Sequence, residues 1–198
     1  MNRVQWLAVF GLFLAPSVLA WPWGDKDWNY ALRMASIEGS EQRVRDALEH
    51  GAQVNHQNDS GMTSLMHASL RGHQKVVHAL LKAGADTRVT DDRYNTALHY
   101  ASKGCNHRVL LELLRSKDAP VNSQNHVGQT PLIAASEQAC PRALDVLLSD
   151  ARVNVRVRDD WGHDAMDYAV ENDIVGFDSE ALDRLKSLEP PQALTLRH

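Results

Sequence analysis

The ten residues "TALHYASKGC", 96–105, hold a histidine (His99) six positions before one of only two cysteines in the chain (Cys105). Taken alone, they could be half of a Cys/His nucleophilic site. Taken with the rest of the sequence, they are one copy of a repeat. "YALRMAS" (30–36), "TSLMHAS" (63–69), "TALHYAS" (96–102), "TPLIAAS" (130–136) and "DAMDYAV" (164–170) follow one another at 33, 33, 34 and 34 residues. Each is followed by a second apolar segment: "VRDALEHGA", "VVHALLKAGA", "VLLELLRSKDA", "ALDVLLSDA" and, more faintly, "SEALDRLKSL". A fixed period of this length predicts supersecondary units that bury their apolar faces by stacking, a helical solenoid. The nucleophile reading fails on geometry, because six residues of helix rise ~9 Å and such a dyad needs contact at ~3 Å.

Each repeated position has a physical reason. Thr63, Thr96 and Thr130 stand where a helix must begin, and a hydroxyl there accepts from the orphan N–H groups of the first turn. Pro131 takes the next position, where a missing N–H costs nothing. Leu65, Leu98 and Leu132 share a face with Ala68, Ala101 and Ala135, whose small side chains allow neighbouring helices to approach. Val76, Val77, Leu80 and Leu81 form an apolar stripe at helical spacing. Gly51-Ala52 and Gly84-Ala85 end the second helix, glycine providing the left-handed cap. The end units depart from the pattern, with Tyr30 and Asp164 in place of Thr and Met166 in place of Leu, as the ends of a stack must.

These motifs resemble those of the ankyrin-repeat family, whose T-P-L-H-x-A motif, glycine turn and V-x-x-L-L-x-x-G-A helix are best met over 58–90, 91–124 and 125–158. The resemblance implies an all-α solenoid of about five helix-turn-helix units (28–57, 58–90, 91–124, 125–158 and 159–188) with loops projecting from one edge. It also implies that His99, at the motif's histidine position, ties neighbouring loops together by hydrogen bonds. Partners of such proteins bind the loop tips and the exposed side of the first helix. Carried onto this sequence, that surface comprises Asp59, Ser60 and Met62 in the second unit; Asp92, Arg93, Tyr94 and Asn95 in the third; His126, Val127 and Gln129 in the fourth; and Asp160, Trp161 and His163 in the fifth. Arg71, Lys103, Glu137, Gln138, Glu171 and Asn172 follow on the helices. Trp161, Arg93 and Arg71 are the leading candidates, since Trp and Arg dominate interface energies. Tyr94 occupies a loop position held elsewhere by Gly61, Gly128 and Gly162, one that favours positive φ, so that loop is either rebuilt or strained.

Residues 1–20, "MNRVQWLAVFGLFLAPSVLA", have the anatomy of a secretory signal peptide cut between Ala20 and Trp21. The expected location is therefore outside the cytoplasm, most simply the periplasm, with no membrane attachment after cleavage. Residues 21–27 form a Trp-rich segment, and 189–198, beyond the last unit, are expected to be a flexible tail. Export favours a disulfide between Cys105 and Cys140, which lie one position out of register at the same turn of adjacent units. Regular stacking would leave their backbones ~8–10 Å apart, too far for a bond unless the turns lean together; two idle thiols are the alternative.

A net charge of −4 gives no sign of a nucleic-acid partner. Ten histidines invite a metal reading, but none has ligand spacing. Asp91, Asp92, Asp159 and Asp160 read as turn formers. The expected function is thus a monomeric, non-enzymatic module without a cofactor, binding one protein of unknown identity. Resemblance to exported bacterial ankyrin proteins suggests an accessory factor for an enzyme such as catalase, or an immunity-type inhibitor of a toxin. A metal-binding or catalytic protein on the repeat scaffold is the rival from another class.

Overall fold

The computed structural model describes residues 27–172 and Ser187. The expected leader and its cleavage site, the Trp-rich segment before Asp27, the second half of the fifth unit and the tail lie outside the described residues. Among those residues the elements are helices: α1 (Trp28–Glu38), α2 (Glu41–Glu49), α3 (Ser64–Arg71), α4 (Gln74–Lys82), α5 (Ala97–Lys103), α6 (His107–Leu114), α7 (Pro131–Glu137), α8 (Pro141–Leu148) and α9 (Ala165–Glu171). They pair as α1/α2, α3/α4, α5/α6 and α7/α8, and α9 opens the next unit. The first helices stack on one another in one layer, and the second helices in another.

The apolar positions common to the repeats lie between these layers. Leu32, Leu65, Leu98 and Leu132 are buried, as are Ala35, Ala68, Ala101 and Ala135 one turn further along. The second helices contribute Val44, Val77, Leu110 and Leu144. Burying such a leucine is worth roughly 1.5–3 kcal/mol, contributed by its own unit and by its neighbours in the stack.

Helix starts follow the residues present. The Thr63 hydroxyl accepts from the Met66 N–H (3.3 Å), and that of Thr130 from the Ile133 N–H (3.3 Å). Asp164 accepts from the Met166 and Asp167 N–H groups. Gly51 and Gly84 close α2 and α4 with φ of 91° and 87°. α6 has no such glycine. Instead the Arg152 guanidinium, held by Asp150, donates to the Leu114, Ser116 and Lys117 carbonyls from the next unit. A cation on the negative end of a helix dipole substitutes for the missing cap.

The turn within each unit explains the cysteines. Gly39, Gly72, Cys105 and Ala139 occupy equivalent places and all have positive φ, 78°, 75°, 55° and 51°. A Cβ built on Gly39 would meet the His73 ring at 2.5 Å, and one on Gly72 would meet the Asn106 amide at 2.5 Å. The Cβ direction at this turn therefore points at the residue following the equivalent turn of the next unit. For Cys105 that residue is Cys140. The two stand at disulfide distance, with Cα atoms 5.3 Å apart. The one-residue offset is thus the register in which stacked turns already touch, and no special lean is required.

Earlier units bridge the same gap with hydrogen bonds. His73 donates through Nε2 to the Ile37 carbonyl (3.0 Å), and Asn106 through its amide to the Ser69 and Leu70 carbonyls (2.8 Å each).

Candidate protein-binding face

The loops between units are built alike. Asn58, Asp91, Asn125 and Asp159 each fold their side chain back onto two N–H groups of their own loop; Asp91 Oδ1 accepts from Arg93 (2.9 Å) and Asn95 (2.7 Å). Gly61, Gly128 and Gly162 turn the tips with φ of 73–83°, and Tyr94 adopts 59°. The loop has therefore kept its shape around a residue with a side chain, which strains it by roughly 1 kcal/mol. One backbone hydrogen bond links each tip to the one before: Asp92 N–H to Ser60, His126 N–H to Arg93 and Asp160 N–H to Val127, at 2.9–3.2 Å.

Two tyrosines fasten loops to their first helices. Tyr100 donates its hydroxyl to Asp91 Oδ2 (2.5 Å), and Tyr168 to Asp159 Oδ2 (2.7 Å). Burial and the adjacent carboxylate push the Tyr100 phenol well above its usual range and that of Tyr168 up to about 12. Burial alone would raise the Asp91 carboxyl; hydrogen bonds from Tyr100 and Asn95 outweigh it and hold the group low. Asp91 and Asp159 thus act as turn formers, as their loop positions suggest.

His99 connects two units. Its ring is fully buried, Nε2 lies 2.9 Å from the Gln129 carbonyl of the following loop, and Nδ1 lies 2.9 Å from the Thr96 hydroxyl and 3.1 Å from the Thr96 N–H. A carbonyl can only accept, so Nε2 carries the proton and Nδ1 accepts. Burial lowers the imidazole pKa from 6.5 to about 4, which keeps it neutral.

The residues expected to meet a partner fall into three groups. Trp161 and Tyr94, each 62% exposed, stand at the tips with Arg93, Asp92 and His126, and Arg71 is exposed at the end of α3. Lys103 is half-buried, donating to Asn95 Oδ1 (3.2 Å), and His163 sits edge-on to Tyr168. Asn95, Gln129 and Met62 face inward. Asn95 is 2% exposed and hydrogen-bonds Asp91, Lys103 and Asn125; Gln129 is 5% exposed and its backbone receives His99; Met62 packs on the core. These three belong to the loop bases, which the next unit seals.

Sequence reasoning misses His67 as a site residue, although its register matches Tyr100 and Tyr168 on the open side of the first helices. It also misses Arg33, whose guanidinium lies 5.0 Å from the Tyr30 ring centre. Among the described residues no group of three or more His, Cys, Asp or Glu side chains is placed to hold a metal ion, and no helix is long and apolar enough to cross a membrane.

The stacked hairpins, the loop-to-loop bonds and the exposed tips define a repeat protein of the interaction type. Two family models, ankyrin repeats (many copies) over residues 48–101 and ankyrin repeats (3 copies) over 98–178, match the chain, and it belongs to the ankyrin-repeat family. No curated protein matches it. Membership supports a protein–protein interaction module, because such repeats typically bind proteins rather than catalyse reactions.

Proposed function

We propose that this chain is an exported, non-enzymatic binding module that holds one partner protein against its loop tips and first-helix face. The observation that carries this reading is the pair of large aromatic side chains, Tyr94 and Trp161, standing exposed on tips whose backbones are fixed by internal hydrogen bonds. An aromatic presented on a rigid frame loses little entropy on binding and buries a large area. The leader-like residues 1–20 and the adjacent cysteines both favour an oxidising compartment, the periplasm, where Cys105 and Cys140 are bonded. The partner is taken to be an enzyme that the module supports, such as a catalase; a toxin held by an immunity-type inhibitor is the alternative.

Affinity capture from a periplasmic extract tests the surface. A Trp161→Ala, Arg93→Ala variant is expected to lose the partner that the native protein recovers; recovery of the same proteins in the same amounts overturns the placement. Adding the module to the captured partner separates the two roles, since an accessory factor sustains its activity and an inhibitor abolishes it.

A further inference from the structure

The open face of the first three units carries four cations, Arg33, Arg71, Arg93 and Lys103. Arg71 lies one helical turn beyond His67 on α3, so the two share a side, and α1, which bears Arg33, packs directly beside α3. Arg93 on the third tip and Lys103 on α5 continue the strip. None of these four cations forms an ion pair among the described residues, and the same holds for Arg108, Arg142 and Arg156 elsewhere, whereas Arg43, Arg45, Arg88, Arg115, Arg152 and Arg158 each pair with a carboxylate.

His67 is a second, independent sign. Its Nε2 is covered by surrounding atoms and has no hydrogen-bond partner. A buried polar nitrogen left in this state costs roughly 1–3 kcal/mol. Burial, then Arg33, then Arg71 hold its pKa down, so both guanidinium groups act on the ring from nearby.

We propose that this face of units one to three is a carboxylate-recognising surface that receives an acidic segment of the partner protein. The inference rests on the protein-binding reading above and specifies the chemistry of what is bound. A carboxylate seated between Arg33 and Arg71 gives each guanidinium a charge-assisted partner and offsets the positive field they set up around the imidazole.

The strip is short and bounded by acids. Asp59 and Asp92 stand exposed at the tips, and Glu137 and Glu171 follow on the next first helices. A protein segment with a few clustered carboxylates fits between them. A phosphodiester chain would run onto those acids, and the overall charge of −4 opposes it further.

The test uses the full mature protein and a short fluorescent peptide of alternating Glu and Ala, with its Lys/Ala counterpart and a single-stranded oligothymidylate as comparison probes. Binding is followed by anisotropy at low and moderate salt. The acidic peptide is expected to bind and the Lys/Ala peptide not to. An Arg33→Gln, Arg71→Gln variant should weaken binding roughly tenfold or more, while Arg108→Gln, on the second-helix layer, changes it by less than about twofold. Circular dichroism checks that each variant is folded.

Absence of acidic-peptide binding, equal binding to all variants, or tighter binding of the oligonucleotide overturns the proposal. The two proposals fail separately. Trp161→Ala is expected to leave peptide affinity intact. Equal peptide binding across the arginine variants therefore refutes the carboxylate surface alone, and unchanged capture by the tip variant refutes the protein-binding placement alone.

Discussion

The second and third units share a backbone and differ at the three places where each touches its successor. At the loop tip the second unit has Gly61 and the third Tyr94; facing the next loop base they have Met66 and His99; at the inner turn they have Gly72 and Cys105. The second unit uses glycine wherever φ is positive and meets its neighbour through Asn106, an ordinary side-chain hydrogen bond. The third accepts side chains at both positive-φ positions and connects onward through His99 and Cys105. The same geometric slots thus tolerate either relaxed residues with weak ties or strained residues with strong ones. The third unit, which also bears Arg93 and Lys103, is therefore expected to hold the fourth more firmly than the second holds the third.

The inner turn offers the largest test of that contrast. With the cysteines bonded across 35 residues, a Cys105→Ser, Cys140→Ser variant should lose about 3–4 kcal/mol, read from the urea midpoint. Transplanting the second unit's solution, Cys105→Gly with Cys140→Asn, should recover about half, because glycine relieves the positive φ and the amide restores a tie. If the serine variant is as stable as the native protein, the thiols are not bonded. A thiol count on the unfolded native protein gives the same answer independently.

Next in size is the contact made by His99. Its folded pKa is depressed, so between pH 6.5 and about 4 the unfolded chain binds a proton that the folded one does not. Stability is therefore full above the unfolded pKa and falls as pH drops through that window, by about 3 kcal/mol from this group. A His99→Gln variant keeps a donor for the Gln129 carbonyl and should lose this slope. Denaturant midpoints at pH 7 and pH 4.5 make the comparison, and equal slopes in the two proteins would show that His99 is not the source.

The smallest effect is expected at the tip. Tyr94→Gly should gain about 1 kcal/mol by relieving the left-handed backbone. Gly128→Ala should cost more than that, since the added Cβ would lie 2.8 Å from the Asp160 N–H. A Tyr94→Gly protein no more stable than the native one would mean that the phenol repays the strain through contacts of its own.

These differences are unevenly visible in the sequence. The helices and their period are legible because capping residues and apolar spacing are set along each single helix. The alignment of repeats also puts Cys105 beside Gly39 and Gly72, and Tyr94 beside the tip glycines. It does not show which loop residues the following unit seals, so Asn95, Gln129 and Met62 read as surface. Nor does it pair Arg152 with carbonyls some 35 residues earlier. Arg33 and His67 escape notice because their proximity exists only when α1 and α3 lie side by side.

The single bond joining each tip to the last gives the row of loops a fixed pitch. A partner that slips along by one unit meets the same backbone spacing, and the main chain alone does nothing to reject it. Only the outward residues number the rungs: Asp59-Ser60, Asp92-Arg93-Tyr94, His126-Val127 and Asp160-Trp161. With a large aromatic on two of those four and a different set of charges on each, the row works as a vernier that favours one alignment of a docked protein over its neighbours.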